Sequence, residues 1–204
     1  MTYTVKEIFH TLQGEGGNIG SPAVFIRFAG CNLWSGREHD RATATCQFCD
    51  TDFIGGKRYA AEELADAAAA LWPGDKNRLV VLTGGEPALQ VDRPLVHELK
   101  RRGFRVAIET NGSIDLPPMG IDWTCVSPKA GAPLRVTVAE EVKLVFPQAG
   151  LMPDALPAMR SLHRWLSPMD GPAIEDNIRK AAAYCLAHTE WRLTIQAHKV
   201  WGIR

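Results

Sequence analysis

Short apolar runs recur along most of this chain, each followed by a polar or glycine-rich turn, with helical segments set among them. Runs at Val24–Phe28, Leu79–Leu82, Arg105–Ile108, Trp123–Val126, Val142–Phe146, Arg164–Leu166 and Arg192–Gln196 have the length and residue types of strands. Three stretches read as helices. Ala60–Leu71 is alanine-rich, carries Glu62 and Glu63 in its first turn and stops before Pro73-Gly74; Asp92–Arg102 stops at Gly103; Ile174–Ala187 is the third. Strands that are near-continuous apolar runs are buried on both faces, the condition of a parallel sheet whose crossovers are helices. Three helices are too few to close an eight-fold barrel. The pattern therefore predicts an α/β fold, a partial (open) parallel-stranded barrel with about six core strands and three helices.

With 204 residues, 46% of them hydrophobic, the chain can bury one sizeable core, and a single domain over 1–204 is expected. Lys plus Arg and Asp plus Glu both number 23. That balance leaves no excess of positive charge for a phosphate backbone and argues against nucleic acid as a partner. The first residues form no apolar signal core and no apolar run is long enough to cross a bilayer, so a cytoplasmic protein with no membrane partner is expected. Three of the five cysteines crowd between positions 31 and 49, which fits metal ligation in a reducing compartment better than a disulfide framework. They fall in a long loop, about 29–56, without a sustained apolar period.

In parallel α/β folds the working residues sit just past the carboxyl ends of the strands. Here Phe28 leads to Cys31, Leu82 to Thr83-Gly84-Gly85-Glu86-Pro87, Ile108 to Glu109-Thr110-Asn111-Gly112, Val126 to Ser127-Pro128-Lys129, and Leu166 to Ser167-Pro168-Met169-Asp170. Five such turns on one rim define one site. Cys46-Gln47-Phe48-Cys49 puts two thiolates on one turn of loop, and Cys31 supplies a third. Two groups suit that set: a 4Fe-4S cubane with one open iron, at which S-adenosylmethionine (SAM) can chelate, or a structural Cys3His zinc site with His39 as fourth ligand. The cysteines alone weigh the two equally. The Thr83–Pro87 turn favours the cubane, because glycines after a buried strand expose backbone to a ligand's amino and carboxylate groups, which a zinc ribbon does not need. Arg27 lies inside an apolar strand and needs an anion, either an acidic side chain or a substrate carboxylate. Thr51, directly after Cys49-Asp50, offers an oxygen to a Mg2+ ion; its other reading is a turn cap. Cys125 and Cys185 fall on a strand and a helix and read as buried apolar fillers.

Cysteines on the loop after the first strand, an aromatic before the last of them (Phe48-Cys49) and a Gly-Gly-Glu-Pro turn after the next strand together resemble the radical SAM superfamily. Within it, Leu12-Gln13-Gly14-Glu15-Gly16, Cys49-Asp50-Thr51, Glu109-Thr110-Asn111-Gly112, Ser127-Pro128-Lys129 and Gln196-Ala197-His198-Lys199 resemble the 7-carboxy-7-deazaguanine synthases over nearly the whole chain. One departure matters. Fourteen residues separate Cys31 from Cys46, where the superfamily usually has three, so Asn32–Thr45 is read as an insertion.

The resemblance implies a barrel of the radical SAM type and a 4Fe-4S cluster held by Cys31, Cys46 and Cys49. It implies a reaction in which a 5'-deoxyadenosyl radical from SAM takes hydrogen from C6 of 6-carboxy-5,6,7,8-tetrahydropterin, whose ring then contracts with loss of ammonia to the deazaguanine of queuosine biosynthesis. By the same resemblance Leu12, Gln13, Gly14, Glu15, Arg27, Thr83, Glu109 and His198 line the pterin pocket. Gln47, Phe48, Asp50, Gly85, Glu86, Ser127, Pro128, Lys129, Ser167, Pro168, Met169 and Asp170 would hold SAM, and Thr51 the Mg2+. An electron donor such as flavodoxin or ferredoxin is implied, and a short partial barrel with an exposed side suggests a homodimer. The alternatives are a glycyl-radical activating enzyme of the same superfamily and a non-enzymatic zinc-stabilised binding module.

Overall fold

The computed structural model describes residues 1–204. Nine strands form one sheet: β1 Thr2–Leu12, β2 Pro22–Phe28, β3 Lys57–Ala60, β4 Leu79–Gly84, β5 Arg105–Thr110, β6 Trp123–Val126, β7 Val138–Phe146, β8 Arg160–Pro168 and β9 Arg192–Leu193. Their order is β3-β1-β2-β4-β5-β6-β7-β8-β9, an open sheet. From β2 onward every neighbouring pair is parallel. Helices α1 (Ala61–Ala70) and α2 (Arg93–Arg101) precede and follow β4, α3 (Ile174–Ala187) links β8 to β9, and the short α4 (Ala197–Trp201) ends the chain. The seven-strand parallel run, whose last member β9 is only two residues long, and the three main helices agree with the sequence reading of about six core strands.

Two strands escaped that reading, β1 and β3, which extend the sheet antiparallel beyond β2. The reason lies in β1. Tyr3 and Val5 are buried, but the register shifts between Val5 and Glu7, so no single alternation of apolar and polar residues runs its length. The last strand is shorter than expected. After Leu193 the chain leaves β8 to meet the loop that follows β1, where the Ala197 N–H donates to the Gly14 carbonyl at 3.0 Å, and α4 begins there.

The helices cover the outer face. Leu64, Ala65 and Ala68 of α1 and Leu95, Val96 and Leu99 of α2 pack on Val24, Ile26, Phe28, Val80, Leu82, Val106 and Ile108. Farther along the sheet, Ala181 of α3 packs with Val142, Leu144 and Leu166. Because side chains alternate across a strand, these choices send Arg27, Thr83, Glu109, Cys125, Lys143 and Ser167 to the concave face. The barrel's open seam is bridged by the β1–β2 loop. There the Gly16 N–H donates to Thr194 Oγ1 at 3.0 Å and the Gly17 N–H to Glu141 Oε2 at 2.7 Å. A Cβ on Gly17 would meet the Trp123 ring at 2.8 Å, so only glycine lets this loop lie against the strands.

Candidate active site

Two adjoining cavities open at the carboxyl ends of the strands. One is lined by Cys31, Cys46, Cys49, Gly85, Ser127 and Lys129 among others; the other by Leu12, Gln13, Gly14, Arg27, His198 and Arg204 among others. They share Glu15, Asp50, Thr51, Thr83, Glu109, Lys143 and Gln196. Of the residues assigned from sequence, only Gln47, Glu86 and Pro128 line neither cavity.

The loop after β2 and the turn after β4 are built as one unit. Gly85 donates its N–H to the Phe28 carbonyl at 3.2 Å and Glu86 to the Gly30 carbonyl at 2.9 Å. A Cβ on Gly85 would fall 2.0 Å from Gly30 O, so the close approach demands glycine. Cys31 is thereby fixed beside the glycine turn. Burial raises the Cys31 and Cys46 thiols above their ordinary pKa. The trio of metal-capable donors whose atoms all lie within 4.8 Å of one another is Glu109, Cys125 and Glu141. The three loop thiols are spread wider. A single tetrahedral zinc with Zn–S of about 2.3 Å needs sulfurs about 3.8 Å apart, whereas a cubane, with a separate iron for each thiolate, takes a wider set. Cys31, Cys46 and Cys49 line one cavity, the donor set a cubane with one open iron requires, whereas His39 is exposed and lines no part of it.

The three outliers have internal duties. Glu86 is fully buried and accepts from Thr110 Oγ1 and Asn111 N, both at 2.7 Å, and from Ala88 N at 2.9 Å. Burial pushes its carboxyl up, and these bonds partly counter that. It fastens the turn after β4 to the turn after β5 and does not reach the cavity. Pro128 is buried, its carbonyl accepting from Gln148 Nε2 at 3.4 Å. Gln47 is exposed and donates its amide to Ala42 O at 2.9 Å.

The floor shared by the cavities is a buried charge cluster. Lys143 Nζ donates to Glu15 Oε2 at 2.7 Å and Glu109 Oε2 at 2.9 Å, and Ser167 Oγ donates to Glu15 Oε1 at 2.9 Å. Burial would raise the Glu15 carboxyl, but Lys143 outweighs it and holds Glu15 below its usual value. For Glu109 burial wins, aided by Glu141 and Glu15, and its carboxyl is raised. Lys143 itself is held charged against burial by the two carboxylates. Sequence reasoning missed Lys143. The signal was present, a lysine inside the apolar β7, of the same kind that singled out Arg27. Cys125 is no apolar filler: its sulfur lies against Glu109 and Glu141, and burial together with these carboxylates pushes its thiol well up. Cys185 is partly exposed on α3.

Gln13 is engaged at both ends, donating to Glu109 Oε1 at 3.1 Å and accepting from Glu15 N at 3.2 Å. Arg27 makes the ion pair that the sequence left open, Nε to Glu7 Oε1 at 2.8 Å, and stacks over Phe9. Its Nη atoms have no protein partner. Arg204 reaches the same Glu7 and Phe9. Lys129 Nζ donates to Ser127 Oγ at 2.6 Å, and burial lowers its pKa. His198 lies against Gly14, and burial lowers it below the usual histidine value. The Thr51 hydroxyl makes no hydrogen bond within the protein, so it caps no turn. Lys199 ties the cluster loop to the end of β8, through Asp50 at 2.9 Å and Asp170 at 2.5 Å.

No protein-family model matches the chain. A protein from Caulobacter vibrioides is 56% identical, with all of both chains covered, and proteins from Bradyrhizobium diazoefficiens and Bordetella pertussis are each 55% identical, again over all of both; each is named 7-carboxy-7-deazaguanine synthase. The crystal structure of QueE from Escherichia coli has the same fold, with a TM-score of 0.69 at 26% identity, covering 97% of this chain and 95% of that one. Identity of that order from end to end admits one conclusion: the chain belongs to the 7-carboxy-7-deazaguanine synthase family of radical SAM enzymes.

Proposed function

We propose that this protein converts 6-carboxy-5,6,7,8-tetrahydropterin to 7-carboxy-7-deazaguanine with loss of ammonia. The observation that carries the reading is the junction of the thiol-lined cavity with the Gln13–Arg27–His198 cavity across a charged floor. Cys31, Cys46 and Cys49 hold a 4Fe-4S cluster. With SAM bound, that group supplies the one-electron chemistry that removes hydrogen from carbon; the protein supplies placement and charge. Lys129, Ser127, Ser167 and Asp170 offer a cation, hydroxyls and a carboxylate to SAM, with Gly85 presenting backbone. Arg27, held by Glu7 through Nε only, keeps its Nη edge for the substrate carboxylate. Glu15, held ionised by Lys143, accepts from ring N–H groups. Glu109, whose two oxygens accept from Gln13 and Lys143, fixes that charged floor beneath the substrate and orients Gln13 toward it. Thr51 joins substrate oxygens in holding Mg2+; its unengaged hydroxyl supports this. We further infer a one-electron protein donor such as flavodoxin or ferredoxin, a single cytoplasmic domain, and a homodimer. The exposed Leu193, Val200, Trp201 and Ile203 at the β9 end support the dimer. No helix is long and apolar enough to cross a membrane.

The test is turnover by the anaerobically reconstituted protein with reductant, SAM and the pterin. Cys31→Ala, Cys46→Ala and Cys49→Ala should each lose iron and product, while Cys125→Ser and Cys185→Ser keep iron. A colourless protein holding zinc, or full cluster assembly in Cys46→Ala, defeats the proposal.

A further inference from the structure

The segment between Cys31 and Cys46 is folded around one side chain. Arg41 stacks its guanidinium over the Trp34 ring, 4.0 Å from the centroid, and its Nε meets Glu38 at 2.8 Å. Its Nη1 then donates to two carbonyls outside the segment, Gln47 O at 3.0 Å and Cys49 O at 2.9 Å. Those carbonyls bracket the turn that carries the second and third thiols. Trp34, the platform beneath, is itself fixed: it is buried, its Nε1 donates to Asp40 Oδ1 at 3.0 Å, and its ring meets Phe53 edge-on at 5.6 Å. Leu33 next to it accepts the Cys46 N–H at 3.2 Å.

We propose that Arg41 is a positioning residue for the iron–sulfur cluster, and that the segment 32–45 exists to hold it. Without the segment, the Cys46–Cys49 turn would have only its own short loop to define it. With it, a planar cation anchored on an indole clamps the turn from outside, through charge-assisted hydrogen bonds that no ligating atom has to supply. Glu38 is largely exposed and serves to orient the guanidinium, whereas the two carbonyls are what the guanidinium orients. The thiols are thus held near ligating shape before any metal arrives, and less ordering entropy is lost on assembly.

The inference rests on the cluster assignment above, and the experiment separates the two. Arg41→Gln, Arg41→Lys and Glu38→Gln are reconstituted anaerobically beside the wild-type protein, and iron release to an excess of chelator is followed by absorbance. Arg41→Gln should lose iron about ten- to a hundredfold faster, the range for residues that support metal ligands. Arg41→Lys, which keeps the charge but loses the planar fork that stacks on Trp34 and reaches both carbonyls, should release iron nearly as fast as Arg41→Gln, and Glu38→Gln should stay near wild type. Because the segment lies outside the sheet core, the urea midpoint of the metal-free Arg41→Gln protein should match wild type. Equal release rates for Arg41→Gln and wild type overturn the proposal. So does a fall in the midpoint that accounts for the faster loss, or Arg41→Lys releasing iron as slowly as wild type. A wild-type protein that assembles no cluster overturns the cluster reading instead.

Discussion

Lys143→Met tests whether the charged floor is assembled as described. The side chains of Lys143, Glu15 and Glu109 are 10, 14 and 18% exposed, so solvent screens them little. Methionine fills most of the lysine stem's volume but leaves two buried carboxylates without their cation, a loss of about 3–5 kcal/mol. With a urea m-value of about 2 kcal/mol/M, the unfolding midpoint of the metal-free protein should drop by about 1.5–2.5 M. The deficit should also depend on pH. In the wild type the lowered Glu15 pKa contributes stability that is present above the unfolded carboxylate range and lost as pH falls. In the variant burial acts alone and raises the Glu15 and Glu109 carboxyls, so the folded state binds more protons than the unfolded state and stability falls as pH rises. The two proteins therefore converge on acidification. Urea titrations monitored by tryptophan fluorescence from neutral pH down into the ordinary carboxylate range would show it. Adding Glu15→Gln to the variant should return part of the loss. A deficit below about 1 kcal/mol at neutral pH, or one that does not change across the titration, would refute the reasoning.

Arg27→Met should fold, because Glu7 keeps Arg204 as a partner, and should still bind SAM, yet lose about 2–5 kcal/mol of affinity for the carboxylated pterin. Equal binding of the decarboxylated pterin by the wild type would remove Arg27 from that role. Thr51→Val keeps the side chain's shape and removes its oxygen, so product formation should require markedly more magnesium while iron content and SAM binding stay intact. Superimposable magnesium curves for the two proteins would place the ion elsewhere.

The sequence by itself determined the elements that are set by local pattern. Apolar runs bounded by turn residues locate β2 and β4–β8, propensity and helix stops locate α1–α3, and the rule that parallel strands present their carboxyl ends to one rim gathers Cys31, Gly85, Glu109, Ser127 and Ser167. Only the tertiary structure decided which charges meet. Arg27 announced a need for an anion, but Glu7 lies twenty residues away on a strand whose bulge hides its periodicity. Lys143, Glu15 and Glu109 come from three elements far apart in the chain and share a site only because the sheet curls. The Glu86 carboxylate sits within a motif associated with cofactor binding, yet folding aims it at the β5 turn. The spacing of Cys31 and Cys46 could mark an insertion but not its use, since that depends on an arginine crossing back over an indole. Local periodicity records what each residue does to its neighbours in sequence, whereas the pairing of buried charges is set by which strands lie side by side, a long-range property that no window of residues contains.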